Sequence, residues 1–298
     1  MRVGITLPNY GPLAGGETLA RLARHAEGLG FDSVWVADHL VMPVETASVY
    51  PFDARATPGP ARLDGLVEFY EPLVTLAYLA AATTRVRLGV SVYVLPYRNP
   101  VVTAKLVATL DALSGGRVIF GVGVGWLREE FTAVGADARQ RGRVTDEYLE
   151  VCRRLWRDEV ASFAGVHYQL PPVRSGPKPA QRPWPPIWVG GNSDAARRRA
   201  VALGDGLHLI ERGPDEVAAA RTAVDAARAA AGRASEPFTL SLRTTVAQAG
   251  DRREAYTAAG LDYLVVSPRR GGSVDELAAA MADAAAALLP SASPTRPV

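Results

Sequence analysis

Eight times between residues 2 and 288, a short apolar run without helical period is followed by a longer stretch that has one. The runs are Arg2 to Leu7, Ser33 to Ala37, Val86 to Val94, Val118 to Val122, Ile187 to Val189, Leu207 to Ile210, Leu240 to Val246 and Tyr263 to Ser267. Successive apolar positions, as in Ser33-Val-Trp-Val-Ala37, are expected of strands covered on both faces in a parallel sheet. The helical stretches are Glu17 to Leu29, Pro72 to Thr83, Pro100 to Leu113, Trp126 to Arg157, Asp194 to Leu203, Asp215 to Ala231, Arg252 to Ala259 and Val274 to Leu288. Alternation of this kind, with no long linker and no shift in composition, predicts the α/β class and a closed (β/α)8 TIM barrel rather than a doubly wound open sheet. One such domain fits residues 1–289, and the Pro- and Ser-rich residues 290–298 are expected to form a disordered tail.

Two connections are longer than barrel loops usually are: Val41 to Tyr70 after strand two, and Ala161 to Pro186 before strand five. The first insertion leaves the carboxyl edge of the sheet, where ligands collect in such barrels, and is placed to form a lid over His39. The second either covers the side or adds to the rim. Gly204-Asp-Gly206 and Gly260 mark helix-to-strand turns on the opposite face.

Charge narrows the partners. With 33 basic and 31 acidic residues the chain has no field to attract nucleic acid, so a small-molecule substrate is expected. No run of 18 apolar residues and no basic leader precede the first strand, which predicts no membrane contact and a cytoplasmic location. The one cysteine, Cys152, excludes an internal disulfide and reads as a packed core thiol in a reducing compartment. His25, His167 and His208 read as structural. No His-x-His, His-Glu-x-x-His or carboxylate cluster with ligand spacing occurs, so no metal is expected, and no Gly-x-Ser-x-Gly nucleophile elbow is present.

Strand two ends abruptly in Asp38-His39, two poor strand formers after five good ones, which makes a titratable pair at the catalytic edge. A cap or a loop ion pair is the alternative. Past strand three, Ser91-Val-Tyr-Val-Leu-Pro-Tyr-Arg-Asn-Pro100 brings a hydroxyl, aromatic rings and a guanidinium to the same end, surroundings that suit a flat aromatic cofactor. Asn99 reads as the N-cap of a helix with Pro100 at its first position, and Arg98 either binds an anion or is an ordinary surface residue.

The stretch Phe120-Gly-Val-Gly-Val-Gly-Trp126 is not a dinucleotide loop, because the third glycine of G-x-G-x-x-G falls on Trp126 or Arg128. Its alternating glycines, Gly123 and Gly125 among them, instead strip side chains from one face, so that a ring or another backbone can approach. Trp126 either walls the pocket or packs in the core. In Ile187-Trp-Val-Gly-Gly-Asn-Ser-Asp194, the amides of Gly191, Asn192 and Ser193 at a helix start are candidate phosphate donors; the alternative is capping by Asn192 or Ser193.

Taken together, Phe31-Asp-Ser-Val-Trp-Val-Ala-Asp-His39, Tyr70-Glu-Pro-Leu-Val-Thr-Leu-Ala77, Leu88-Gly-Val-Ser-Val92, Tyr97-Arg-Asn-Pro100, Gly121-Val-Gly-Val-Gly-Trp-Leu-Arg-Glu-Glu130 and Pro185-Pro-Ile-Trp-Val-Gly-Gly-Asn192 resemble the bacterial luciferase-like monooxygenase superfamily, in particular its coenzyme F420-dependent oxidoreductases. The resemblance spans about residues 1–289. It implies a (β/α)8 barrel that binds F420, or alternatively FMN, at the carboxyl ends of its strands. It also implies Asp38 and His39 beside the ring as the catalytic pair, with His39 donating a proton or stabilising charge. Ser91–Val92 matches a non-prolyl cis peptide that supports the ring, and Gly190, Gly191 and Asn192 match a phosphate loop.

With Gly123, Gly125, Trp126 and Ser193 these complete the expected cofactor contacts. Sugar-phosphate dehydrogenases of the superfamily carry a glutamate where Trp126 stands here, and a tryptophan cannot act as an acid, so a more apolar or aromatic substrate is expected. The leading expectation is hydride exchange between F420 and a small organic substrate. An FMN-dependent monooxygenase fed with reduced FMN by a partner reductase is the alternative, and a non-catalytic flavin- or deazaflavin-binding protein is the reading from another class. The resemblance also implies a homodimer, with Glu147 to Trp156 as a candidate interface.

Overall fold

The computed structural model describes residues 1–51, 68–269 and 272–290. The middle of the first insertion, 52–67, and tail residues 291–298 lie outside the described residues. Eight strands form the barrel: β1 (Arg2–Thr6), β2 (Ser33–Val36), β3 (Arg87–Val90), β4 (Val118–Gly123), β5 (Ile187–Gly190), β6 (Gly206–Ile210), β7 (Thr239–Thr245) and β8 (Tyr263–Ser267). Each pairs in parallel with the next, and β8 pairs with β1, so the sheet closes on itself. This is the (β/α)8 barrel expected from the alternation.

Inside the barrel, glycines stand opposite indoles. A Cβ at Gly4 would come within 2.6 Å of Trp35 Nε1, and one at Gly89 within 2.3 Å of Trp35 Cε3. Trp35 fills the space they leave and stacks on Trp188 (5.4 Å) and His208 (5.4 Å, 7° between planes), with Tyr263 edge-on. Stacked aromatics thus occupy an interior more often filled by branched aliphatic residues.

The expected strand Val86 to Val94 is broken. β3 ends at Val90, the Ser91–Val92 peptide is cis, as the resemblance implied, and pairing with β4 resumes at Tyr93 and Val94. Leu88 lies opposite Val118, whereas Tyr93 lies opposite Val122, so one extra residue is accommodated between them. As at a β-bulge, the backbone is re-aimed where the barrel opens.

The expected helical region Trp126 to Arg157 is two helices, Arg128–Ala133 and Arg141–Arg157, parted where Gly135 takes φ 73°, a left-handed turn that glycine makes without a steric cost. The second helix packs on the helix Pro100–Leu113, Trp156 Nε1 donating to the Ala104 carbonyl (2.8 Å) and Cys152 Sγ to that of Pro100 (3.5 Å). Cys152 is therefore a buried core thiol. The apolar residues Leu149, Val151, Leu155 and Trp156 of the same helix are buried within the chain as well.

The second insertion forms an antiparallel hairpin, Ala161–Ala164 with Gln169–Val173, and then runs beneath the amino ends of the strands. There Gln181 donates to the Val118 carbonyl and Trp184 to Asp205. It covers the side and the lower rim, leaving the carboxyl end to the first insertion.

Close backbone approach at β4 gives a test. A Cβ at Gly121 would lie 2.0 Å from the Val90 carbonyl oxygen, a backbone atom that cannot swing aside, whereas nothing lies within 4 Å of one at Gly28 in the helix Gly16–Leu29. Gly121→Ala should lose roughly 1–3 kcal/mol of unfolding free energy in urea, or more, through overpacking. Gly28→Ala should gain about 0.5–1 kcal/mol.

Candidate active site

β2 stops at Val36, and a buried side chain dictates the path of the backbone beyond it. Asn9, just past β1, donates through Nδ2 to the Ala37 carbonyl (2.8 Å) and accepts from the Ala37 amide (2.9 Å), so its carboxamide replaces the next rung of the sheet. A second donation to the Tyr70 carbonyl (3.0 Å) ties in the returning end of the first insertion. With Ala37 fixed in this way, Asp38 enters the wall of the barrel and His39 faces its mouth.

The Asp38 carboxylate accepts both terminal nitrogens of Arg98 in a fork (2.8 Å each) and the amide of Val94 (2.8 Å). Its side chain has no exposed surface. This corrects the catalytic role expected for Asp38, whose oxygens are consumed in holding the segment beyond the cis peptide. Arg98 is neither an anion site nor a surface residue: it lies over the Tyr93 ring (4.3 Å) and also reaches Glu71 (3.4 Å). Asn99 caps the helix Pro100–Leu113 through Val101 and Val102, as expected.

His39 meets a residue that the sequence reading left without a role. Its Nδ1 lies 2.7 Å from Glu130 Oε2, while Glu130 Oε1 accepts the amides of Leu40 (2.5 Å) and Val41 (3.3 Å). The Tyr97 hydroxyl also donates to this carboxylate, which has no exposed surface. Burial alone would raise the Glu130 carboxyl, but the bonds from His39, Leu40 and Val41 outweigh it and hold the group below its ordinary range. An ionised carboxylate only accepts, so Nδ1 carries hydrogen and Nε2 is the atom left to hold or release a proton. The sequence signal for Glu130 is an acidic pair in the first turn of the helix after the glycine strand. Its partner Glu129 accepts the Ala47 amide and the Ser48 amide and hydroxyl; burial would raise it, yet these bonds bring it down to about 2.

Around His39 the mouth is aromatic. Phe69 meets its ring edge-on (5.2 Å), as does Trp126 (6.1 Å), and Tyr50 packs on Trp126 (5.1 Å). Trp126 is half-buried, so it walls the pocket. Described parts of the first insertion thus flank His39 at both ends. The position after the glycine strand lacks a carboxylate, as the sequence says, but one reaches the site from Glu130, behind the histidine.

The glycines serve a different neighbour from the one expected. A Cβ at Gly123 would lie 2.3 Å from Val92 Cγ2, and one at Gly190 2.6 Å from Val92 Cγ1, so both make room for Val92. At Gly125 (φ 78°) it would strike Phe131 and Val94. Val92 keeps part of its surface exposed at the mouth as a ledge.

The Ser91 hydroxyl points down into the barrel, 2.8 Å from His208 Nε2, instead of toward a ligand. His208 Nδ1 lies 2.8 Å from Ser241 Oγ, which donates to the Leu207 carbonyl. Burial, with Arg243 nearby, pushes this imidazole down to about 3, so it is neutral; Nδ1–H donates to Ser241, and Nε2 accepts from Ser91.

The expected phosphate loop is partly spent. The Gly191 amide donates to the His208 carbonyl (3.0 Å), the Asn192 side chain exchanges two bonds with the backbone of Ile210, and Ser193 caps the helix Asp194–Leu203. The amides of Asn192 and Ser193 are left, with no backbone partner among the described residues. Capping, the alternative reading, holds for Ser193.

The profile described as luciferase-like monooxygenase matches residues 1–293. An uncharacterised protein of Mycobacterium tuberculosis is 38% identical over 221 residues, 74% of each chain. An F420-dependent glucose-6-phosphate dehydrogenase of Kineococcus radiotolerans is 34% identical over 192 residues (63% of this chain, 50% of that one). An FMNH(2)-dependent dimethylsulfone monooxygenase of Pseudomonas putida is 35% identical over 136 residues (44% and 37%). Among solved structures, the fold is shared with the monooxygenase RslO1 of Streptomyces bottropensis (TM-score 0.78, 24% identity, 97% and 99% covered). It is shared as well with a coenzyme F420-dependent tetrahydromethanopterin reductase of Methanopyrus kandleri (0.75, 17%, 97% and 98%).

The carboxylate behind His39 sets a pH dependence. Because its folded value is lowered, Glu130 contributes stability that is present above its unfolded value of about 4.3 and is lost as pH falls through the folded value. Glu130→Gln, which brings an NH2 among donors, should cost roughly 1–3 kcal/mol at pH 7 in urea unfolding. The gap between variant and wild type should narrow below about pH 4.

Proposed function

This chain belongs to the luciferase-like monooxygenase family, and from that premise we propose that it is an oxidoreductase exchanging hydride between coenzyme F420 and an apolar or aromatic organic substrate at the mouth of the barrel. The observation that carries this reading is His39, aimed by the buried Glu130 at the end of the strand that pairs with the one leading to the Val92 ledge. Val36 pairs with Val90, and the Ser91 amide donates to the Val36 carbonyl (2.8 Å), so His39 and Val92 continue adjacent strands just past that rung. The residues fit a flat tricyclic ring: a partly exposed valine cradled by two glycines lies beneath, and a wall of Trp126, Phe69 and Tyr50 stands beside the histidine.

Bound F420 would supply a two-electron hydride carrier. The chain's own residues would do the remainder. Val92 supports the ring, and the amides of Asn192 and Ser193, at the start of the helix Asp194–Leu203, are the groups left for an anionic tail. Nε2 of His39 holds or gives the proton that accompanies hydride transfer, while Glu130 fixes the tautomer and compensates charge on the ring. The aromatic wall excludes water and receives an apolar substrate. Glu130 has no exposed surface and cannot touch that substrate, which supports an apolar preference despite its carboxylate.

The F420-dependent relative matches more of this chain than the FMN-dependent one, 63% against 44%, which favours the deazaflavin. Titration of the apoprotein with F420 and FMN, oxidised and reduced, should give tight F420 and weak FMN binding. Preference for reduced FMN would move the activity to oxygen insertion, with a partner reductase supplying the flavin. His39→Ala should bind F420 like the wild type yet lose about 10²- to 10⁴-fold in turnover across a panel of apolar and aromatic alcohols and carbonyl compounds. Glucose 6-phosphate should not be turned over.

A further inference from the structure

Period-2 alternation along β7 places Arg243 in the barrel mouth. Ser241 faces the interior, since its hydroxyl meets His208 Nδ1, and Arg243, two residues on, faces the same way one layer closer to the mouth. Its Nη1 donates to the carbonyl of Ser91 (3.1 Å), the carbonyl of the cis peptide itself. The side chain is half-buried. Among the described residues the Arg243 side chain forms no other hydrogen bond and no ion pair.

A half-buried guanidinium without a carboxylate is unusual, because a desolvated charge is costly unless it is paired. Nothing beneath it can supply the countercharge. The layer below consists of Ser91, Ser241 and the neutral His208 stacked on Trp35. The other charged residues of the site are already matched, Arg98 with Asp38 and Glu130 with His39. Among the described residues Arg243 is thus left as a positive charge without a carboxylate, bonded to the same peptide that carries the Val92 ledge.

We propose that Arg243 is the anion-binding group of this site: one N–H steadies the seat peptide, and the rest of the guanidinium faces the negative charge that a tricyclic ring carries on that seat once it is reduced. This rests on the proposed function. A hydride brings two electrons and one proton to the ring, which therefore gains one negative charge over its oxidised form until a second proton arrives. The hydride donor loses the same two electrons and one proton. A cation beside the ring therefore favours its reduced over its oxidised state.

The test compares dissociation constants for oxidised and reduced F420, and for FMN in both states, in wild type, Arg243→Gln and Arg243→Lys, together with the reduction potential of the bound ring. Arg243→Gln should keep its affinity for the oxidised ring within about threefold and weaken binding of the reduced ring by about tenfold or more, which lowers the bound two-electron potential by about 30 mV per tenfold. Arg243→Lys keeps the charge and should retain most of the preference for the reduced ring. A folded Gln variant that weakens both states equally, or neither, overturns the inference and leaves the proposed function standing. If circular dichroism shows the Gln variant unfolded, the Lys variant decides: retention of the wild-type preference supports the inference, and its loss overturns it. A wild type that binds neither ring overturns the proposed function, and this inference with it.

Discussion

A carboxylate without exposed surface must have its oxygens occupied, and the site is organised around that demand at Glu130. Its two oxygens accept from His39, from the amides of Leu40 and Val41, and from the Tyr97 hydroxyl. These donors come from three places in the chain, namely the end of strand β2, the start of the first insertion and the loop past the cis peptide. One buried charge therefore fixes their mutual arrangement, and removing any one donor leaves that charge with too few partners. Asp38 does the same one residue earlier, for Arg98 and Val94. Two acidic side chains thus hold together what two adjacent strands bring to the mouth.

The barrel was legible because its signal is repeated: eight apolar runs separated by helical stretches leave few alternatives. His39 was legible as a candidate because it follows the end of β2 by three residues, at the carboxyl edge of the sheet. Glu130 was not, because its role depends on a contact 91 positions away in sequence, and an acidic pair at a helix start reads equally well as a response to the helix dipole. The alternating glycines are sites of close approach, as expected: at Gly121 another backbone, the Val90 carbonyl, comes near, whereas at Gly123 the neighbour is the Val92 side chain. Spacing reveals that a side chain is missing; it does not reveal whether a ring or the chain's own Val92 fills the gap. Asn192 and Gly191 illustrate the same limit, for their polar groups satisfy the backbone of the next strand before any ligand is considered.

Beneath the mouth, polarity is arranged by depth. Trp35, Trp188 and Tyr263 fill the lower interior, the neutral His208 with Ser91 and Ser241 forms a hydrogen-bonded layer above them, and Arg243 lies uppermost. Each hydroxyl in the middle layer has a defined direction, Ser91 to His208 and Ser241 to the Leu207 carbonyl, so the seat peptide is held from below by a single pattern of protons. His208 is a structural histidine, as expected of a histidine within a buried strand, and what it supports is the floor of the site.

Val92 occupies the space that Gly123 and Gly190 leave empty, with its two γ-carbons directed one to each. The three positions share one volume. Any side chain added at either glycine must be matched by a loss at Val92, and any enlargement of Val92 has nowhere to go but upward into the mouth. In a lineage of such chains the height of this ledge would drift only by concerted exchange at all three places, which makes the trio a hereditary unit, although its members lie on strands 31 and 98 residues downstream of the valine.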